Sequence, residues 1–83
     1  MTPPPAVRLR PEDNVAVAAR HLPEGQDVLG VTLAGRVGLG HKIALAPIAK
    51  GEPIRKYGQI IGFASRDIGP GELVHVHNVS ADL

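Results

Sequence analysis

Val37 to Ile43 reads VGLGHKI. The frame is an apolar residue, a glycine three positions on, and a second apolar residue three beyond that. It recurs as Leu22-Gly25-Val28 in LPEGQDV, Ile48-Gly51-Ile54 in IAKGEPI and Ile68-Gly71-Val74 in IGPGELV. The physical reading is a strand end, a tight turn and a strand start. Glycine supplies the positive φ such a turn requires, and the flanking apolar residues anchor both arms in a core. The four glycines are unevenly spaced, which excludes a solenoid of fixed period. The frames describe one small domain that bends its chain the same way four times.

Working outward, the stretches between bends suit short strands: DVLGVTL, KIALAPI, PIRKYG, QIIGFAS and LVHVHNV. Helical spacing is nowhere sustained beyond one or two turns. RPEDNVAVAARHL, from Arg10 to Leu22, admits two readings. Pro11 with Glu12 and Asp13 could open a helix. Val15 and Val17, however, alternate with Asn14 and Ala16, and this strand period is preferred. The expectation is an all-β domain of short, bent strands.

Composition narrows the function. Eighty-three residues make one domain, with 43% hydrophobic residues but one Phe, one Tyr and no Trp, so the core is aliphatic. A net charge of +1 without a basic block, and without interleaved aromatics, argues against nucleic-acid binding. No cysteine is present, which removes disulfides and thiolate metal sites. The opening MTPPPAVRLRPEDN lacks the apolar core of a secretory signal, and no apolar run nears the ~20 residues of a membrane span. A cytoplasmic protein is expected, with a flexible tail over 1–6, a domain over 7–79 and a C-terminal tail over 80–83.

The chemistry points to GELVHVHNV, Gly71 to Val79. In a strand, Val74 and Val76 would face one way, and His75 and His77 together the other. Such a pair can offer two imidazoles to one metal ion, with a third ligand from His41 beyond the Gly40 bend. His21, beside Pro23, is a weaker candidate. Two solvated strand histidines are the plain alternative, slightly favoured on spacing alone. Lys42, directly after His41, and Lys56, before Tyr57-Gly58, are candidate carboxylate binders. Lys50, Arg55 and Arg66 read as solvated charges. Asn78 either bonds a ligand or ends the strand. Glu52 and Glu72 read as solvated turn residues, not an acid/base pair. There is no P-loop or GxGxxG, and Ser65 and Ser80 have no nucleophile-elbow context.

Three segments, GHKIAL, IAKGEPIRKYGQIIGFA and DIGPGELVHVHN, together resemble the N-terminal SAF-type domain of the altronate dehydratase and galactarate dehydratase family of sugar-acid dehydratases. The chain also resembles the small subunit of sulfolactate sulfo-lyase. The likeness runs from about Val7 to Asn78 and rests on Gly40-His41-Lys42, Lys56-Tyr57-Gly58, Ile61-Gly62 and Val74-His75-Val76-His77-Asn78 in that order. It implies a β-clip fold and a lyase component that is not active alone, because longer members carry a large C-terminal portion. The implied partners are that large subunit or domain and a sugar-acid substrate, and exposed sheet edges add a homo-oligomer. The implied reaction is dehydration of a hydroxylated sugar acid, with a divalent metal such as iron shared with the large portion. His75, His77 and His41 would then be catalytic, His75 and His77 metal ligands, and Lys42, Lys56 and Asn78 substrate-binding. The alternative is a non-catalytic module for carbohydrate-acid binding or assembly, since SAF-like domains also resemble parts of sialic acid synthases, flagellar P-ring chaperones and pilus-assembly proteins.

Overall fold

All four frame glycines have the expected positive φ in the computed structural model of the chain, which describes residues 3–82: Gly25 +85°, Gly40 +84°, Gly51 +88° and Gly71 +87°. Each sits third in a turn closed by the amide that follows it. Gln26 donates to Pro23 at 3.3 Å, His41 to Gly38 at 3.0 Å, Glu52 to Ala49 at 2.9 Å and Glu72 to Gly69 at 3.2 Å. This is type II geometry, in which a side chain at the third position is strained.

The eight flanking apolar residues are all buried, and they divide between two clusters. Leu22, Val28, Val37 and Ile43 pack with Ala6, Ala16, Ala18 and Leu33. Ile48, Ile54, Ile68 and Val74 pack with Val15, Ala44 and Ala64. The bends therefore act in pairs. Leu22 and Val37 exchange backbone hydrogen bonds of 2.8 and 2.9 Å, and Ile48 and Ile68 do the same at 2.9 and 2.8 Å.

The two halves repeat one hydrogen-bond plan. Gly25 N to Leu33 O at 2.9 Å is matched by Gly51 N to Ala64 O at 2.8 Å. Gly40 N to Ala18 O at 2.9 Å is matched by Gly71 N to Ala44 O at 2.8 Å. Leu33 N to Gln26 O and Ala64 N to Glu52 O are a third matched pair, both 2.9 Å. The halves differ mainly in the hairpin each encloses, short in the first and long in the second.

The strands are β1 (Ala6–Val7), β2 (Val15–Ala18), β3 (Asp27–Val28), β4 (Val31–Thr32), β5 (Lys42–Ala44), β6 (Pro53–Lys56), β7 (Gln59–Ala64), β8 (Leu73–Val74) and β9 (Val79–Ser80). They form an antiparallel sheet ordered β1-β2-β5-β8, a β3-β4 hairpin and a β6-β7-β9 sheet. The all-β expectation holds. Among the described residues there is no helix, and so none long and apolar enough to cross a membrane. The strand reading of Val15–Ala18 holds as well, and the helix alternative over Arg10–Leu22 does not form.

Asp13, which with Pro11 and Glu12 could have opened that helix, instead ties the halves together, and so does its neighbour Asn14. The β6-β7 hairpin turns at Tyr57 (φ +56°) and Gly58 (φ +75°), the type I′ geometry of a two-residue hairpin. The buried Asp13 carboxylate accepts from Tyr57 N at 2.9 Å and Gly58 N at 2.7 Å, and from Arg10 N at 3.2 Å. Asn14 Nδ2 donates to Pro53 O at 3.0 Å, and Asn14 Oδ1 accepts from Arg55 N at 2.8 Å.

Two expectations are corrected. The run LVHVHNV is not one strand: β8 ends at Val74, His75 to Asn78 form a turn, and β9 begins at Val79. The period-two argument that put His75 and His77 on one face therefore fails. At the N-terminus, Ala19 N donates to Pro5 O at 2.8 Å and Ala6 is buried in β1, so the described part of the expected tail is held from Pro5 onward. Met1 and Thr2, and Leu83 of the expected C-terminal tail, lie outside the described residues.

Candidate functional site

β5 lies inside its sheet, with Lys42 opposite Val17 of β2 and Val74 of β8. Alternation sends Ile43 into the core and Lys42 to the other face. There Lys42 meets Lys56, from the end of β6, and His75, from the turn after β8. The three line one open cleft of about 460 Å³ with Ile61, Val76 and Val79. His41, next to Lys42, stacks on His75, with ring centroids 5.0 Å apart and planes inclined by 25°. The Lys56 ammonium sits 4.9 Å from the centre of the Tyr57 ring, a cation–π contact that helps fix its stem.

Electrostatics agrees with the geometry. Partial burial pushes the Lys42 ammonium below its ordinary pKa of 10.5, and the like charge of Lys56 pushes it further the same way. A partly buried ammonium whose charge is further disfavoured by a second ammonium forms, with it, a receptor for an anion. A carboxylate between them would relieve both effects. Its binding is expected to weaken as pH rises through the lowered Lys42 pKa, earlier than for a free lysine, which a carboxylate titration followed across alkaline pH would show.

The remaining sequence candidates separate. His77 is exposed and lies outside the cleft lining. Asn78 is fully buried. Its Oδ1 accepts from His75 N at 2.9 Å and its Nδ2 donates to Leu73 O at 2.8 Å, so it shapes the turn that presents His75, and its full burial keeps it out of a ligand's reach. In this structure Asn78 positions the turn instead of lining the cleft. Asn78→Ala should cost about 2–3 kcal/mol, since it leaves a buried amide and carbonyl unpartnered. Urea unfolding would measure that loss, and weakened ring contacts between His41 and His75 in NMR spectra should accompany it.

The metal expectation gains no donor set here. Imidazole lone pairs lie in the ring plane, so two rings stacked face to face do not aim at a common point. Among the described residues no three His, Asp or Glu side chains are grouped to hold one ion.

Sequence reasoning missed Ile61, Val76 and Val79 as cleft walls. Val76 is 81% exposed and Ile61 is also exposed, giving the cleft an apolar rim. A run of solvent-facing branched residues beside a turn was the available signal. Glu52 and Glu72 were read as solvated, but they accept hydrogen bonds from the amides of Ala49 and Gly69 and stiffen their bends.

Fold and site together define an all-β SAF-like domain that presents a cationic cleft with an imidazole beside it. The chain belongs to the altronate/galactarate dehydratase SAF domain family, whose model matches residues 4–82. It is 46% identical over 81 residues to altronate dehydratase of Escherichia coli (strain K12), covering 93% of this chain and 16% of that protein. It is 37% identical, with the same coverage, to altronate dehydratase of Bacillus subtilis (strain 168). Over 41 residues it is 46% identical to the (2R)-sulfolactate sulfo-lyase subunit alpha of Chromohalobacter salexigens, covering 49% of this chain and 44% of that subunit. The relatives are thus larger dehydratases, of which this chain spans 16% of the length, and a subunit of a lyase.

Proposed function

We propose that the chain serves a sugar-acid dehydratase as the domain or small subunit that contributes Lys42, Lys56 and His75 to an active site completed by a large catalytic portion. The observation that carries this reading is the convergence of those three side chains in one cleft, backed by the His41 stack. The family relationship supports this reaction class, loss of water from a hydroxylated sugar acid, and we place it in the cytoplasm.

The roles follow from the chemistry. Lys42 and Lys56 bind the substrate carboxylate. They also stabilise the second negative charge that develops on it when a base on the catalytic portion removes the adjacent proton. His75 donates a proton to the departing β-hydroxyl, a general-acid role that imidazole side chains commonly fill. His41 holds the His75 ring by stacking. A divalent ion, if the enzyme uses one, must draw its ligands mainly from the catalytic portion, with the exposed His77 as this chain's freest donor. The apolar rim of Ile61 and Val76 is the surface on which that portion closes the cleft.

The test joins this chain to the catalytic portion of an altronate dehydratase and follows dehydration of the sugar acid. His75→Ala should lower kcat by roughly 10²- to 10⁴-fold, the usual scale for a general acid, without a change in melting temperature. Lys42→Gln should raise KM as well as lower kcat. Full turnover in His75→Ala would remove the catalytic role and favour a purely assembling domain.

A further inference from the structure

The repeated plan of the two halves exposes a second anion site. Between Leu22 and Val37 runs a groove bordered by His21, Pro23, Arg36 and Gly38. Its counterpart in the second half, between Ile48 and Ile68, is bordered by Ala49, Asp67 and Gly69, with Glu52 and Glu72. In that second groove the chain fills its own turn donors with carboxylates. Lys50 N donates to Asp67 Oδ1 at 2.9 Å, Ala49 N to Glu52 Oε1 at 2.7 Å, and Gly69 N to Glu72 Oε2.

In the first half every one of those carboxylates is replaced. Following the matched hydrogen bonds, Arg36 stands where Asp67 does, His41 where Glu72 does and Gln26 where Glu52 does. Pro23, in the place of Ala49, has no N–H to satisfy. The amides of Glu24 and Gly38, counterparts of Lys50 and Gly69, have no acceptor among the described residues. His21 Nδ1 accepts from Leu39 N at 3.4 Å, which leaves the Nε2–H as an outward donor. A methyl on Gly38 would lie 3.3 Å from His41 Nδ1 and 3.9 Å from His21 Nδ1, so both imidazoles stand over that glycine.

We propose that the His21–Arg36–Gly38 groove binds a small carboxylate anion, which takes the place that Asp67 occupies in the other half, while His41 stands in the place of Glu72. The donors are the Gly38 and Glu24 amides, the Arg36 guanidinium and the His21 Nε2–H. Carboxylate is the class because the chain itself places carboxylates on the equivalent amides. The groove adjoins the Lys42–Lys56–His75 cleft through His41, which stacks on His75, but it uses different donors and does not depend on the dehydratase reading.

The experiment is an acetate titration of the ¹⁵N-labelled chain at constant ionic strength, with chloride as the reference anion. The Gly38 and Glu24 amide resonances should move saturably, with a midpoint in the millimolar range. Arg36→Gln should weaken the response roughly tenfold, the loss of one charge-assisted pair. Asp67→Ala should make the Lys50 amide newly responsive, as the same plan requires. The double variant Lys42→Gln, Lys56→Gln should keep the Gly38 response, so failure of the catalytic cleft and failure of this groove read out at different residues. Equal shifts with chloride, or an unchanged titration in Arg36→Gln, would overturn the assignment.

Discussion

Gly71→Ala is expected to abolish cooperative folding, whereas Gly25→Ala and Gly51→Ala should only lower the melting temperature. All three glycines have φ near +85° to +88°, so each alanine incurs the same left-handed backbone cost of about 1–2 kcal/mol. The surroundings separate them. A Cβ on Gly25 or Gly51 would meet nothing within 4 Å, while on Gly71 it would fall 2.0 Å from the carbonyl oxygen of Thr32 and 3.0 Å from its carbon. The obstacle is backbone and cannot swing aside as a side chain could. Gly71 O also accepts from Ala34 N at 3.1 Å, so the fourth bend is pressed directly onto the end of the β3-β4 hairpin. Relieving the overlap means parting the two halves, and a domain of this size has only about 4–12 kcal/mol in hand. Thermal unfolding by circular dichroism would compare the three variants. A Gly71→Ala protein melting within a few degrees of Gly51→Ala would show that the contact is not as close as described.

The second large effect is expected at Asp13. Burial alone would push its carboxyl pKa up from the ordinary 3.8, but the amides of Gly58, Tyr57 and Arg10, with the charge of Arg8, outweigh it and hold the group below that value. A carboxylate depressed in the folded state stabilises the fold fully above its ordinary pKa. That contribution is lost as pH falls through 3.8 toward the lowered folded value. Asp13→Ala leaves three backbone donors without an acceptor at the junction of the β6-β7 hairpin and the first sheet. Its melting temperature should fall by on the order of 10 °C or more. Asp13→Asn should be destabilised less at neutral pH and should lose the part of the acid sensitivity that this group carries. Melting curves from pH 7 to pH 2.5 would test the sign. An Asp13→Asn protein as acid-sensitive as the parent would assign that sensitivity to other carboxylates.

These two residues differ in how far they could be read in advance. Gly71 belongs to a frame whose meaning is local: glycine flanked at fixed distance by aliphatic residues implies a bend with both arms buried. All eight flanking residues are indeed in the core. Asp13 was invisible by the same logic. An acid after proline and before a strand is normally solvated, and its partners Tyr57 and Gly58 lie far along the chain.

The site shows the same division. Lys42, Lys56, His41 and His75 could be nominated as residue types beside bends, but their meeting could not. It depends on β5 lying between β2 and β8, and on the β6-β7 hairpin returning Lys56 to that face. The histidine pair was misread because alternation was extended one strand too far. Asn78 draws the chain into a turn through its buried amide, which sends His75 toward His41 and leaves His77 in solvent.

Aliphatic spacing around glycine is short-range information, and it was enough to establish an all-β chain with four bends. Which bends pair, which lysines face each other and which imidazole reaches the cleft are long-range outcomes. They rest on backbone hydrogen bonds between residues distant in the chain, and no local periodicity encodes those partners.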